Sequence, residues 1–249
     1  MQAQIQHGWA QLAPSTLAQW VGALATSAAV VVALFKDELL RRYRRPQLSV
    51  RLRPEPPDCL LVPNAIVYNN AGVIWTGRIY FVRLWIENNG IGRAEQVQVF
   101  ASRLFREGAN QRFAPVADFE PMNLRWSNSR DANNPEIFAP GISRRFGKHC
   151  DLLSVSDPAN PTDQIDHYQG QCVGTLQQEV VPGGNRNRLI PGNYVLEIRV
   201  GAANAEPVTV YVQINIRGTW SPDRETMFRE HLGVQIITTQ PPGVTRSGD

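Results

Sequence analysis

The first 35 residues contain no Lys, Arg, Asp or Glu, and a strongly basic segment follows them directly. Within this stretch, residues 17–35 read LAQWVGALATSAAVVVALF, close to the roughly 20 apolar residues that a helix needs to cross a bilayer. Its apolar side chains lie on every side of a helix, whereas a helix that packs on a protein core has a polar face. We therefore predict a transmembrane helix over residues 17–35, after a short N-terminal tail of residues 1–16.

The segment KDELLRRYRRP, residues 36–46, accounts for the whole formal net charge of +3, because the rest of the chain holds 20 basic and 20 acidic residues. Cations that flank a membrane span stay on the cytoplasmic side. We therefore expect the N-terminus outside and the domain that follows residue 46 in the cytoplasm. That domain has no net charge, unlike the basic surface of most nucleic-acid-binding domains, so we expect no nucleic-acid partner.

Aromatic residues and cations at the ends of the span are typical of a membrane interface. The predicted membrane-interface residues are Trp20, Lys36, Arg41, Arg42, Tyr43, Arg44 and Arg45. One face of the span carries small residues at every third or fourth position, which lets two helices approach closely. The candidate residues for helix association are Gly22, Ala25, Ala29 and Ala33. Pro46 cannot continue the helix, so residues 36–46 are expected to form its basic juxtamembrane end.

From residue 47 to residue 239 the chain reads as a β domain, because apolar and polar side chains alternate with the period of a strand. The predicted strands are residues 47–52, 78–90, 94–105, 191–200 and 207–218, with a last strand at 234–239. Alternation of this kind is typical of antiparallel sheets with one buried face, as in a β-sandwich. Between the predicted strands at 207–218 and 234–239, the sequence SPDRETMFREHLG predicts a short helix with Ser221 as its N-cap. Residues 240–249 are predicted to be a disordered tail.

Two stretches resemble immunoglobulin-like domains. VRLWIENNGIGRAEQVQVF is similar to the V-x-N-x-G-x-x-x-A-x-x-V-x-V strand pair of bacterial domains of the CARDB or fibronectin III type, and PGNYVLEIRV is similar to their late strand P-G-x-Y-x-L-x-V. The layout as a whole resembles uncharacterised bacterial single-span membrane proteins with a cytoplasmic sandwich. The resemblance implies an immunoglobulin-like β-sandwich and no catalytic residues. The charge asymmetry adds the expectation that the chain is anchored in the bacterial inner membrane with the sandwich in the cytoplasm.

Residues 106–190 are rich in Pro, Asn, Gly and Asp, which predicts long loops of the kind that often bind ligands. Their basic patch, RRFGKH, provides the candidate ligand or partner residues Arg144, Arg145, Lys148 and His149. A metal site would have to combine His149, Cys150, His167 and Cys172, but their spacings match no zinc motif. Three widely spaced cysteines also make a poor disulfide framework and favour a reducing compartment.

These patterns favour a membrane-anchored, non-enzymatic β-sandwich module that binds a ligand or a protein near the inner leaflet, without a cofactor. The expected partners are the lipid bilayer and a protein, and a homo-oligomer could form through the helix. One alternative is a membrane effector or sensor whose domain controls association of the helix. A second alternative is a metal-dependent enzyme with its site in residues 106–190.

Overall fold

The structure is a computed structural model that describes residues 14–69, 72–127, 137–161, 168 and 170–237. The chain divides into two compact units, residues 1–44 and 45–249. The first unit contains an apolar helix, and the second contains antiparallel strands and a short C-terminal helix. The prediction of a mainly β chain with these two helices is confirmed.

Helix α1 (Pro14–Tyr43) has 30 residues, a length of about 45 Å at about 1.5 Å per residue. Its apolar part, Ala18–Lys36, has a mean hydropathy of 1.8, and the side chains along it are exposed. This part is long and apolar enough to cross a membrane. The hydroxyl of Thr26 donates to the carbonyl of Gly22 at 2.8 Å, so this polar group is satisfied without water. The helix ends at Tyr43, three residues before Pro46, so the last residues of the segment 36–46 lie outside it.

The second unit contains thirteen strands within the described residues. They are β1 (Leu48–Arg51), β2 (Cys59–Asn69), β3 (Gly72–Asn88), β4 (Ala94–Glu107), β5 (Phe113–Pro115), β6 (Met122–Asn123), β7 (Ala139–Ile142), β8 (Gly147–Ser156), β9 (Gly174–Leu176), β10 (Arg188–Leu189), β11 (Gly192–Ala202), β12 (Ala205–Ile216) and β13 (Leu232–Ile237). A 3-10 turn (Gly183–Asn185), helix α2 (Arg224–Thr226) and a π-helical turn (Met227–His231) complete the described elements.

The strands form two antiparallel sheets. In the first sheet the order is β1-β3-β8-β9-β10, and β2 pairs with the part of β3 that precedes the β1 pairing. In the second sheet the order is β13-β12-β11-β4. The short strands β5, β6 and β7 each pair with a different part of β4. The two sheets bury one common core, because a single apolar cluster collects side chains from both.

The core faces agree with the alternation read from the sequence. Alternation places Tyr80, Val82, Leu84 and Ile86 on one face of β3, and all four are fully buried, as are Leu196, Ile198 and Val200 on one face of β11. Burial of one large aliphatic side chain stabilises the fold by about 1.5–3 kcal/mol. The side chains at the intervening positions of β3 point to the outer face of the first sheet, which carries the site described below.

A fully buried Asn88 closes the corner between β3 and β4. Its Nδ2 donates to the carbonyls of Gly92 (2.6 Å) and Ile142 (3.0 Å), and its Oδ1 accepts from the amides of Gln47 (3.1 Å) and Gly90 (3.0 Å). All the hydrogen-bonding capacity of its amide is thus used by the backbone of three separate segments. A Cβ at position 90 would lie 2.3 Å from the backbone nitrogen of Gln47, so only glycine fits there.

The sequence predicts loops throughout residues 106–190, but the described part of this region contains the six strands β5–β10. These strands have two to four residues each, apart from β8, and are too short to produce a readable period. The segment around Leu124 and Trp126 links the two sheets, since Asn123 pairs with β4 and Trp126 bridges to Cys150 of β8. Leu124 and Trp126 are buried in the core.

The short C-terminal helix begins two residues later than the sequence suggests. The side chain of Asp223, and not that of Ser221, caps α2 by accepting from the amide of Thr226 at 2.8 Å. The Ser221 hydroxyl instead accepts from the amide of Asp223 at 3.2 Å. The bonds to Thr226 and the cationic side chains of Arg229 and Arg224 hold the pKa of Asp223 below its ordinary value. The predicted disordered tail, residues 240–249, lies outside the described residues.

Candidate functional site

Three side chains form a row across the outer face of the first sheet. Arg51 of β1 is directly opposite Trp85 of β3, and Trp85 is directly opposite His149 of β8. The rings of Trp85 and His149 lie with their centroids 4.6 Å apart and their planes inclined at 58°. Directly opposed side chains of antiparallel strands are close enough to act together. The strand register therefore places one guanidinium beside a two-ring aromatic wall.

Trp85 can lie flat on the sheet because β8 begins with a glycine. A Cβ at Gly147 would approach the indole to 2.4 Å at Cε2 and 2.7 Å at Nε1. The indole Nε1 is buried and has no hydrogen-bond partner within the described residues. Gly147 thus provides the space for the indole plane, and the indole provides the apolar floor of the site.

A buried carboxylate holds His149 in place. Asp58 is 5 % exposed, and its Oδ1 lies 2.9 Å from Nε2 of His149. Its second oxygen, Oδ2, accepts the backbone amide of Arg53 at 3.0 Å. Both carboxylate oxygens are therefore engaged. Asp58 orients the imidazole and also fixes the segment that follows β1.

The two arginines of the site differ in their partners. The guanidinium of Arg51 lies 2.8 Å from the carboxylate of Glu87, so much of its charge is balanced. The exposed side chain of Arg53 has no ion pair or hydrogen bond with any residue that the structure describes. The charge of Arg53 is thus available to an anion.

These groups line a cleft of about 220 Å³, here called the basic–aromatic cleft: Arg51, Arg53, Pro57, Asp58, Trp85 and His149. Its volume is below the roughly 300–1,000 Å³ typical of pockets that enclose drug-sized ligands. The cleft therefore suits a small group. Its chemistry suits a group with one negative charge for Arg53 and an apolar part that can lie against Trp85 and Pro57.

The structure brings only one of the four predicted ligand residues into this cleft, His149. Arg144 and Arg145 are exposed in the turn before β8. Lys148 lies on the opposite side of β8, with its Nζ 5.5 Å from the ring centroid of Trp126. The predicted patch is contiguous in sequence, but strand alternation separates Lys148 from His149.

The predicted membrane residues lie on α1 and directly after it. Trp20 and Tyr43 are exposed, as are Lys36, Arg44 and Arg45, and Arg45 pairs with Glu206 at 3.5 Å. Arg41 and Arg42 lie within α1, and their side chains are outside the described part. The four residues chosen for helix association, Gly22, Ala25, Ala29 and Ala33, are all exposed on α1.

The described residues considered for a metal site do not converge on one point. His149 is bound to Asp58 in the cleft, whereas Cys150 is buried in the core and Cys172 lies beside Met227. His167 lies outside the described residues. Within the parts of the chain that the structure describes, no three His, Cys, Asp or Glu side chains converge as metal ligands.

The three cysteines are free thiols buried in the β unit. Burial raises the pKa of Cys59 and of Cys172 to about 12, and it raises the pKa of Cys150 well above its ordinary value. Since the thiolate is the reactive form, these thiols should be inert in the folded protein.

We expect no labelling of the native full-length chain by a maleimide reagent at pH 7.5, and labelling of three cysteines after unfolding in guanidinium chloride. Intact-mass spectrometry would count the adducts. A version with Arg112→Cys, an exposed position between β4 and β5, is the positive control and should take up one label when folded. Rapid labelling of the native thiols would contradict the buried placement.

A second cleft of about 290 Å³ lies beside β12 and β13. Its lining includes Cys59, Asn215, Arg217 and Phe228. Arg217 is the one charged residue among the described lining residues, and it already donates from Nε to the carbonyl of Glu230 at 3.0 Å. This second cleft therefore has weaker binding chemistry than the basic–aromatic cleft.

Sequence reasoning missed Arg51, Arg53, Asp58 and Trp85 as site residues. One signal was present, because alternation places Trp85 on the outer face of β3. The cross-strand register that brings Arg51 and His149 to either side of it depends on pairings 34 and 64 residues apart along the chain.

No protein-family model, no curated protein and no solved structure matches this chain. Its function must therefore be inferred from the geometry of its own residues.

Proposed function

We propose that this chain is a membrane-anchored, non-enzymatic binding module. Helix α1 is the bilayer anchor, and the two sheets form an immunoglobulin-like β-sandwich in the bacterial cytoplasm that binds a small anionic ligand in the basic–aromatic cleft. The anchor is supported by the length and apolar character of Ala18–Lys36 and by the cations that follow it. The sandwich is supported by the core that the two sheets share.

The observation that carries the binding role is the guanidinium of Arg53, which has no partner among the described residues and lies beside the Trp85–His149 wall. Guanidinium groups form bidentate, charge-assisted bonds with carboxylates and phosphates. Among the described lining residues, Asp58 is the one carboxylate, and both its oxygens are engaged. Asp58 therefore supports the site and is not itself free to act as a general base.

We expect Arg53→Gln to weaken anion binding by about 10- to 100-fold, because a hydrogen bond to a charged group contributes about 1.5–3 kcal/mol. The measurement is isothermal titration calorimetry of the full-length chain in a neutral detergent, with sodium benzoate and inorganic phosphate as separate probes. Arg53 is exposed, so this substitution should leave the fold intact.

Arg112→Gln is the matched control, since it removes the same charge at an exposed position between β4 and β5. It should bind both probes as the unmodified chain does. Binding of either probe to the same extent by all three proteins would contradict the proposed function.

A further inference from the structure

The basic–aromatic cleft lies at the end of the first sheet to which the helix is tethered. Arg51 follows the last residue of α1, Tyr43, by eight residues. Eight extended residues span at most about 27 Å. This limit comes from the covalent chain, so it holds for any orientation of the β unit.

The opposite end of the same sheet is much farther from the tether. Strand β3 has 17 residues, about 55 Å at roughly 3.3 Å per residue, and its last residue, Asn88, pairs with Leu48 next to the tether. The β2–β3 hairpin at the other end exposes the apolar residues Ile66, Val73 and Ile74, but it carries no cation before Arg78. The tethered end of the sheet carries the cations of the cleft, and also Arg145, whose amide donates to the carbonyl of Asn88 at 2.8 Å, and its exposed neighbour Arg144.

The residues of the cleft fit a phosphate that is attached to an apolar body. Arg53 offers an unpaired guanidinium, and Arg51 lies beside it in the lining. Trp85 and Pro57 offer apolar surface next to these donors. Tryptophan is also a residue that favours the boundary between headgroups and acyl chains. A free inorganic anion would use the guanidinium but not the indole.

We infer that the anion bound in this cleft is the phosphate of an anionic phospholipid headgroup, in the leaflet nearest to the β unit. This inference rests on the proposed function and names the ligand class of the same site. The lipid binds as an equilibrium ligand, with no covalent step. A tethered β unit meets headgroups at high effective concentration, which allows a weak site to be occupied.

The test compares thermal unfolding of the full-length chain in nanodiscs of phosphatidylcholine alone with nanodiscs that contain about one-third phosphatidylglycerol. We expect the midpoint temperature of thermal unfolding of the β unit to be about 5 °C higher with phosphatidylglycerol. A shift of this size is expected for a ligand in large excess over its Kd. Arg53→Gln should lose most of this rise, and Arg112→Gln should keep it. A rise of equal size in all three proteins would show general charge attraction and would overturn the inference.

The source of the phosphate is tested in phosphatidylcholine nanodiscs with free inorganic phosphate, free glycerol phosphate or benzoate. If these solutes at millimolar concentration do not raise the unfolding temperature, the result supports the lipid headgroup as the source of the phosphate. An Arg53-dependent rise with a free solute equal to that with phosphatidylglycerol would overturn the lipid assignment and leave the proposed function standing. If no anion, free or in lipid, distinguishes the unmodified chain from Arg53→Gln, both the inference and the proposed function fail.

Discussion

Replacing Asn88 with Ala is expected to destabilise the β unit by about 4 kcal/mol, because four backbone groups would lose their partner and two of the four bonds, to Ile142 and Gly90, are buried. Those groups are the carbonyls of Gly92 and Ile142 and the amides of Gln47 and Gly90. Asn88→Asp should be at least as damaging, since a buried carboxylate would face two carbonyl oxygens. A loss of this size is a large share of the roughly 5–15 kcal/mol by which domains are stable.

The neighbouring residue is a matched control for this corner. Asn89 is exposed, and its side-chain amide makes one hydrogen bond within the described residues, from Nδ2 to the hydroxyl of Ser49 at 2.8 Å. Asn89→Ala should therefore change stability by less than about 1 kcal/mol. Urea unfolding of the full-length chain in detergent, followed by tryptophan fluorescence, gives both values. Similar losses for the two substitutions would contradict the role assigned to Asn88.

Glu197→Ala is expected to lower the free energy of unfolding by about 3 kcal/mol at pH 7. This value is at the lower end of the range for breaking a buried ion pair. Glu197 of β11 is 1 % exposed, although it points away from the main core. It accepts from the hydroxyl of Ser102 at 2.7 Å and pairs with Arg103 and Arg199. The estimate is at the lower end because both guanidiniums remain partly exposed and can be rehydrated.

The pKa of Glu197 determines how this contribution changes with pH. Burial acts to raise its pKa, but the bonds from Arg103 and Ser102 and the charge of Arg199 outweigh burial, and the pKa is lowered overall. A carboxylate with a lowered folded pKa stabilises the fold above its unfolded pKa of about 4.3 and loses that contribution as the pH falls through the folded pKa. The stability difference between the unmodified chain and Glu197→Gln should therefore shrink between pH 6 and pH 3.

Glu206→Gln is the control for this pH series. Glu206 of β12 is 83 % exposed and pairs with Arg45 at 3.5 Å. Exposed ion pairs contribute at most about 1 kcal/mol. The free energy of unfolding, measured with urea at half-unit pH steps, should therefore differ little between Glu206→Gln and the unmodified chain. A difference at position 197 that stays constant down to pH 3 would contradict the lowered pKa.

The β strands that form the core were predictable because their signal is local. Alternation along β3 and β11 identifies the inner residues Val82, Leu84, Leu196 and Ile198, and all four are fully buried. The short strands within residues 106–190 gave no such signal. Strands of two to four residues complete at most two periods of alternation, and their place in the sheets depends on the strands with which they pair, β4, β8 and β9.

The corner formed by Asn88 and Gly90 was partly predictable from the sequence. The resemblance to immunoglobulin-like domains singled out Asn88 and Gly90, but it gave no reason for them. The structure provides the reason, because Asn88 binds backbone groups from the β1, β4 and β7 regions and Gly90 lies against the chain at Gln47. A motif can thus be read from residues that are adjacent in sequence even when its partners are distant.

The sequence alone indicated three features. They are an apolar helix of sufficient length to cross a bilayer, a basic segment that predicts the orientation of this helix, and strands with one buried face. These properties depend on residues within a few positions of one another. The binding cleft required the folded chain, since Arg51, Asp58, Trp85 and His149 come from segments up to 98 residues apart. Strand register decides which outer side chains become neighbours, and it is set by the packing of the whole β unit.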